Sequence, residues 1–199
     1  MAAGGVGVAA QASVDLAAGL VSSRLSVRNP PIQLPDLGNS DAHTGFYVEL
    51  DASRAVRPRI RAGVALAFSA TGSGAVTDRW PDVRVHEYAL GPCGAFRFAE
   101  FVSVDLTLLG VLRDYRAAPR PAGDAGRYDL RPRLGLTGQL GRLQVRMSAE
   151  QGLNVSDWLE VYDNDGLGYR PRFQTLAIRF GVGYRLWHRP RSAVAPGAG

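Results

Sequence analysis

Arg172-Phe-Gln-Thr-Leu-Ala-Ile-Arg-Phe-Gly-Val-Gly-Tyr-Arg-Leu-Trp187 alternates along most of its length. Leu176, Ile178, Phe180, Val182, Tyr184 and Leu186 share one parity; Thr175, Ala177, Arg179, Gly181, Gly183 and Arg185 share the other. A strand sends successive side chains to opposite faces, so one face here is apolar and the other small or cationic. A helix would mix the two sets around its circumference. Strands of soluble proteins typically run about 5–6 residues, whereas about 9–11 tilted residues cross a bilayer. The stretch therefore reads as the closing strand of a transmembrane β-barrel.

Seven more alternating stretches precede it, at 13–27, 44–53, 59–69, 82–90, 101–114, 127–139 and 143–153. The connections between the eight run long, short, long, medium, long, short, long. An up-and-down meander gives this rhythm when one rim carries long loops and the other tight turns. Stretch 82–90 is the weakest, because Val83 and Val85 share a face with Glu87; a bulge near Glu87 would restore its pattern. Gly91 to Ala99, containing Gly-Pro-Cys-Gly, reads as a turn. Pro132 lies on an apolar parity, where its missing N–H argues for a local bulge. Residues 154–170 read as a long polar loop. The expected fold is all-β: an eight-stranded antiparallel up-and-down barrel over 13–187.

The ends read differently. Ala10-Gln11-Ala12 fits the small-residue cleavage pattern of a secretory signal, so 1–12 is read as the remnant of a signal peptide. Residues 188–199, rich in Pro, Ala and Gly, read as a disordered tail. The net charge is +5 and all 23 basic residues are Arg. Because those arginines form no run interleaved with aromatics, no nucleic-acid partner is expected. The one cysteine, Cys93, can form no internal disulfide and has no second Cys for a redox or zinc motif. The apolar runs are too short for a membrane helix.

Alternation alone also fits a soluble barrel of lipocalin type carrying an apolar ligand, with the apolar face turned inward. The charged parity favours the opposite orientation. Asp15, Glu49, Asp51, Arg59, Arg61, Asp105, Asp129, Arg131, Arg133, Arg146, Glu150, Arg179 and Arg185 lie on it, diluted by Gly, Ala, Ser and Thr. Acids and arginines among small neighbours suit a narrow lumen plugged by paired charges, because an eight-stranded barrel is just wide enough for side chains to fill. Phe46, Phe68 and Tyr128 would form an interface girdle at the long-loop rim and Tyr184 one at the other.

The last strand adds a motif. Arg179, Gly181, Tyr184 and Leu186 match the order of a polar residue, a glycine two later, then two hydrophobic residues separated by one. This resembles the insertion signal at the end of outer-membrane barrels, and the chain as a whole resembles small eight-stranded outer-membrane proteins of the OmpA/OmpX type. The departure is a tail beyond Leu186. The resemblance implies bacterial outer-membrane location and contact with outer-membrane lipid and lipopolysaccharide. It also implies recognition of those four residues by the barrel-assembly machinery. A porin-like open channel is less expected, because the lumen charges would block it.

Chemistry is not legible. The three histidines, His43, His86 and His188, stand in no arrangement with serine that would activate a nucleophile, so no catalytic residue is named and no enzyme is expected. Asp163-Asn164-Asp165-Gly166 resembles a calcium loop, but counting back from Gly166 puts Val161 at the first ligand position; no metal or cofactor is expected. Arg24, Arg28, Arg79, Arg116, Arg120, Arg127, Arg170 and Arg172 lie in or beside the long loops, where guanidinium groups could pair with lipopolysaccharide phosphates. A structural role, or a surface ligand held by the outer loops, is the expected function. A soluble carrier, a small channel and a lipid-modifying enzyme are the alternatives.

Overall fold

The computed structural model describes residues 11–28, 42–73, 83–115, 128–153, 161–162, 168–169 and 172–188. Of the stretch 1–12 read as a signal remnant, residues 1–10 lie outside these and Ala12 opens the first strand; residues 189–199 of the expected tail and the aspartates of the calcium-like stretch also lie outside the described residues. Ten strands form: β1 (Ala12–Arg28), β2 (His43–Arg57), β3 (Ile60–Ser73), β4 (Val83–Ala99), β5 (Val102–Tyr115), β6 (Tyr128–Leu140), β7 (Leu143–Gln151), β8 (Val161–Tyr162), β9 (Gly168–Tyr169) and β10 (Arg172–His188). Eight of them close a barrel in the order β1-β10-β7-β6-β5-β4-β3-β2, and β8 pairs only with β9. Every neighbouring pair is antiparallel, and β1 meets β10 to complete the ring. Closure leaves no edge strand in the barrel sheet, which a barrel in lipid requires.

Period-2 alternation decides the two faces, and the structure turns the apolar one outward. Leu20, Leu50, Leu66, Leu90, Leu106, Leu134, Met147 and Val182, one from each barrel strand, are exposed. A soluble monomer rarely shows a contiguous apolar patch above roughly 300–600 Å². A belt running around the whole circumference is therefore a lipid-facing surface, and the lipocalin-like orientation is overturned.

Aromatic side chains collect at both margins of this belt. Towards the long connections, Phe68 packs against Phe46 at 6.0 Å and Tyr88 at 5.3 Å, centroid to centroid, and Tyr128 is exposed nearby on β6. Towards the short turns stand Phe96, Phe98, Phe101, Tyr184 and Trp187, all exposed. Amphipathic and aromatic rings favour the headgroup level of a bilayer, so the belt has two interface margins.

Four sequence expectations change. Gly91 to Ala99 is no turn: β4 runs through it to Ala99. Gly91 fits because a Cβ there would collide with the Leu108 carbonyl. The β4–β5 ladder resumes in one register on either side of Gly91 and Pro92, so the proline sits in a gap in the bonding. No bulge occurs at Glu87, where the β3–β4 register is continuous; Val85, Glu87 and Ala89 are all buried, leaving Tyr88 and Leu90 exposed. Nor does Pro132 cause one. The β5–β6 register passes through it unbroken, and on the other side Leu153 N–H bonds to the Leu130 carbonyl at 2.8 Å, rejoining β6 beyond the missing donor. The supposed loop 154–170 contains the short β8 and β9 strands.

All three tight connections are two-residue hairpins: Pro58-Arg59, Glu100-Phe101 and Gly141-Arg142. Gly141 has φ 62°, a left-handed conformation that disfavours a side chain. A Cβ there would meet nothing within 4 Å, so substitution is felt only through the backbone. Gly141→Ala is expected to lower stability by about 1–2 kcal/mol, read as a shift of the urea midpoint in detergent, with Gly141→Asn milder.

Candidate functional site: the charged lumen

The inward parity carries the charged side chains. Arg131 sits at its centre with no exposed surface. Its Nε donates to Asp129 Oδ2 at 2.8 Å, and its Nη1 donates to Glu87 Oε2 at 2.9 Å and Glu150 Oε1 at 3.0 Å. Its Nη2 donates to Glu87 Oε1. Arg113 pairs with Asp129 and lies 3.5 Å from Glu87, while its Nη2 donates to the Thr175 hydroxyl at 2.9 Å. One guanidinium thus serves three carboxylates and a second supports two of them.

The network continues towards the short turns. Arg179 donates to Glu150 at 3.0 Å, stands 4.0 Å from Glu49 and lies over the Tyr47 ring at 5.1 Å. Arg133 grips Glu49 with both terminal nitrogens, the Nη2–Oε1 bond being 2.9 Å. Arg146 reaches Glu49 at 3.3 Å and also bonds Asp51. Among the described residues, five arginines (113, 131, 133, 146 and 179) therefore face five carboxylates (49, 51, 87, 129 and 150), and their charges balance. Desolvating an unpaired charge costs several kcal/mol, which makes this balance a condition of burial. A separate pair, Arg185 Nε to Asp15 at 2.8 Å, stands nearer the turns, with Arg185 also donating to Gln139.

Twelve of the thirteen charged residues expected in the lumen do face it. Arg59 differs from them in place: it lies in the β2–β3 turn, exposed at the mouth, where it lines the rim of the cavity. Asp105 accepts from Thr137 and Ser103 rather than from an arginine, and Arg61 donates to Ser13 and Ser53. Two network members were missed by sequence reasoning. Glu87 was masked by the false bulge, and Arg113 shares the parity of Asp105 and Thr107, the signal that could have found it.

The lumen is not filled evenly. The half nearer the long connections holds the Arg131 cluster, and an alanine-rich wall of Ala65, Ala67, Ala89, Leu109 and Val111 packs within the barrel. The other half encloses a polar cavity of about 130 Å³, lined from Tyr47, Arg133 and Arg179 down to the turn residues Pro58, Arg59, Glu100 and Phe101. The buried charge network thus lies in one half of the lumen, and a vestibule reaching the short turns lies in the other.

The remaining expected site residues separate by face. Arg179 joins the buried network; Tyr184 and Leu186 are exposed on the lipid side. Gly181 stands opposite Gly19 on the closing seam, and a Cβ on Gly181 would collide with the Ala18 carbonyl and the Tyr47 hydroxyl. Packing therefore accounts for Gly181 independently of recognition. His86 points to the outer face, edge-on to Phe68 at 5.6 Å, and is opposite Asp114 across the β4–β5 ladder. Among the described residues no group of His, Cys, Asp and Glu is placed to hold a metal.

A closed eight-stranded antiparallel barrel with a lipid-facing belt and a charged interior defines the class: an outer-membrane-type β-barrel. Solved structures share the fold. Neisserial surface protein A is 12% identical with a TM-score of 0.54, over 87% of this chain and 98% of that one. The attachment invasion locus protein Ail of Yersinia pestis is 16% identical with a TM-score of 0.46, over 88% and 97%. OprG, an outer membrane protein from Pseudomonas aeruginosa, is 10% identical with a TM-score of 0.46, over 87% and 95%. The likeness to Neisserial surface protein A is one of fold. No protein-family model matches the sequence, and no curated protein does.

Proposed function

We propose that this chain is an integral barrel of the bacterial outer membrane with a structural or surface-interaction role, presenting its long connections at one rim and catalysing no reaction. The observation that supports this reading is the buried Arg131 cluster, whose paired side chains lie across the lumen in the half nearest those connections. Outward-pointing Arg24 and Arg84 stand on the exposed face near the same rim, beyond the aromatic margin. Guanidinium groups in that position suit lipopolysaccharide phosphates. The side chains of Arg28, Arg79, Arg116, Arg120, Arg127, Arg170 and Arg172 lie outside the described residues. Exposed Tyr184 and Leu186 are accessible on the last strand, as engagement by the barrel-assembly machinery requires.

The test is fractionation followed by electrical recording. The protein is expected in the detergent-extracted membrane fraction, to migrate differently on a gel before and after heating, and to give no stepwise conductance in planar bilayers. Recovery of folded monomer without detergent would remove the membrane assignment. Stable open-channel steps would replace the structural role with a channel.

A further inference from the structure

We propose that the vestibule binds a small, soluble phosphoryl anion entering from the short-turn end. Seven arginines line this cavity (59, 61, 97, 133, 146, 179 and 185) against five carboxylates (Asp15, Glu49, Asp51, Glu100 and Asp105), and because Arg179 is paired with Glu150 outside the lining, the excess is one positive charge. Four of the arginines are committed: Arg133 to Glu49, Arg146 to Asp51, Arg185 to Asp15 and Arg179 to Glu150. Arg59, Arg61 and Arg97 remain at the mouth, and among the described residues neither Glu100 nor Asp105 forms an ion pair with them.

These three arginines are held together by the ladder. Arg97 N–H bonds to the Arg59 carbonyl at 2.8 Å, so the two residues face each other across β3 and β4. Arg61 is one inward step further along, paired with Ala95, a small residue that leaves the space open. Like charges directly opposite across a sheet are destabilising, and a dianion between them would relieve this. One hydroxyl supplements the guanidinium donors: Ser53 accepts from Arg61 and lines the cavity, so its own hydrogen can turn to the anion.

A second observation lies at the inner end of the same cavity. Arg179 is 2% exposed, yet its Nε and Nη1 have no hydrogen-bond partner. A buried cationic donor without an acceptor is costly, and these atoms belong to a residue that lines the vestibule. Guanidinium forks match phosphate oxygens in pairs, which suits a phosphoryl anion at a site with excess positive charge. One enclosed water needs on the order of 10–15 Å³, so 130 Å³ accommodates a phosphate-sized ion with its remaining hydration. The site faces the lumen rather than the lipid belt, which favours a soluble anion over a lipid headgroup.

Cys93 supplies the test, because it is the one cysteine and it lines the vestibule. The protein would be reconstituted in phosphatidylcholine nanodiscs and its thiol modified by a negatively charged or a positively charged methanethiosulfonate of similar size. The thiolate attacks the reagent sulfur, forming a mixed disulfide and releasing methanesulfinate. The anionic reagent is expected to react at least tenfold faster, and inorganic phosphate to slow both reagents saturably. Arg61→Gln with Arg97→Gln should abolish the charge preference and weaken phosphate protection at least tenfold. Arg54→Gln, on the outer face, should change neither. Heat-modifiable migration would verify that each variant is folded. Equal rates for the two reagents, no protection by phosphate, or protection surviving in the double variant would overturn the site. Protection by phosphatidylglycerol in the disc but not by inorganic phosphate would also overturn it, assigning the charges to a lipid headgroup.

Discussion

Arg131→Leu is expected to cost the folded barrel about 3–5 kcal/mol, the range for removing one partner of a buried ion pair. The substitution deletes the one guanidinium that contacts Glu87, Asp129 and Glu150 together. Among the described residues, Arg113 and Arg179 then remain as the arginines touching those three carboxylates, and the balance passes from five against five to four against five. Glu87→Gln in the same chain restores the balance at four against four and should recover part of the loss. Leu134→Ile, a lipid-facing change of equal volume, should cost less than about 1.5 kcal/mol. Urea midpoints in liposomes or detergent measure all three. If Arg131→Leu and Leu134→Ile unfold together, the interior is not held by paired charge.

Gly181→Ala is the second large effect. The added methyl would enter space occupied by the Ala18 carbonyl oxygen and the Tyr47 hydroxyl, at the seam where β10 meets β1. A backbone carbonyl in a closed ladder cannot swing aside. The loss is therefore expected at or above the top of the ~1–3 kcal/mol range for overpacking. Tyr47→Phe in the same chain removes the hydroxyl contact but not the carbonyl one, so it should recover only part. Gly138→Ala is the control, because a Cβ there would be 4.0 Å from the nearest carbonyl, that of Val145. Refolding from urea into detergent separates packing from recognition, since no assembly machinery is present. Normal refolding of Gly181→Ala in detergent, with failure to assemble in cells, would assign the glycine to recognition and refute the clash.

Much of this architecture was legible in the amino acids because a strand's side-chain period is a property of its own backbone. Leu176 to Leu186 and Thr175 to Arg185 fall on opposite faces whatever lies next to them, and the same holds for 44–53 and 127–139. That local rule yielded eight strands, the alternation of long and short connections, and the parity of almost every lumen charge. It failed where composition and context disagreed. Gly91-Pro-Cys-Gly carries turn residues, yet β4 continues through them because the strands on either side supply a ladder and the proline falls in a gap. Glu87 looked like an error in an apolar face, when that face was the inner one.

What the tertiary structure alone decided is which charges meet, and where empty space remains. Arg133 and Glu49 are 84 residues apart, and Arg146 and Glu49 are 97. Their contact depends on the stagger and tilt with which eight strands close, quantities carried by the whole ring rather than by any segment. Parity could say that an arginine points inward. Only closure shows that Arg131 finds three carboxylates while, among the described residues, Arg59, Arg61 and Arg97 form no ion pair at the mouth, so that one lumen holds a buried charge network in one half and an arginine-lined vestibule in the other.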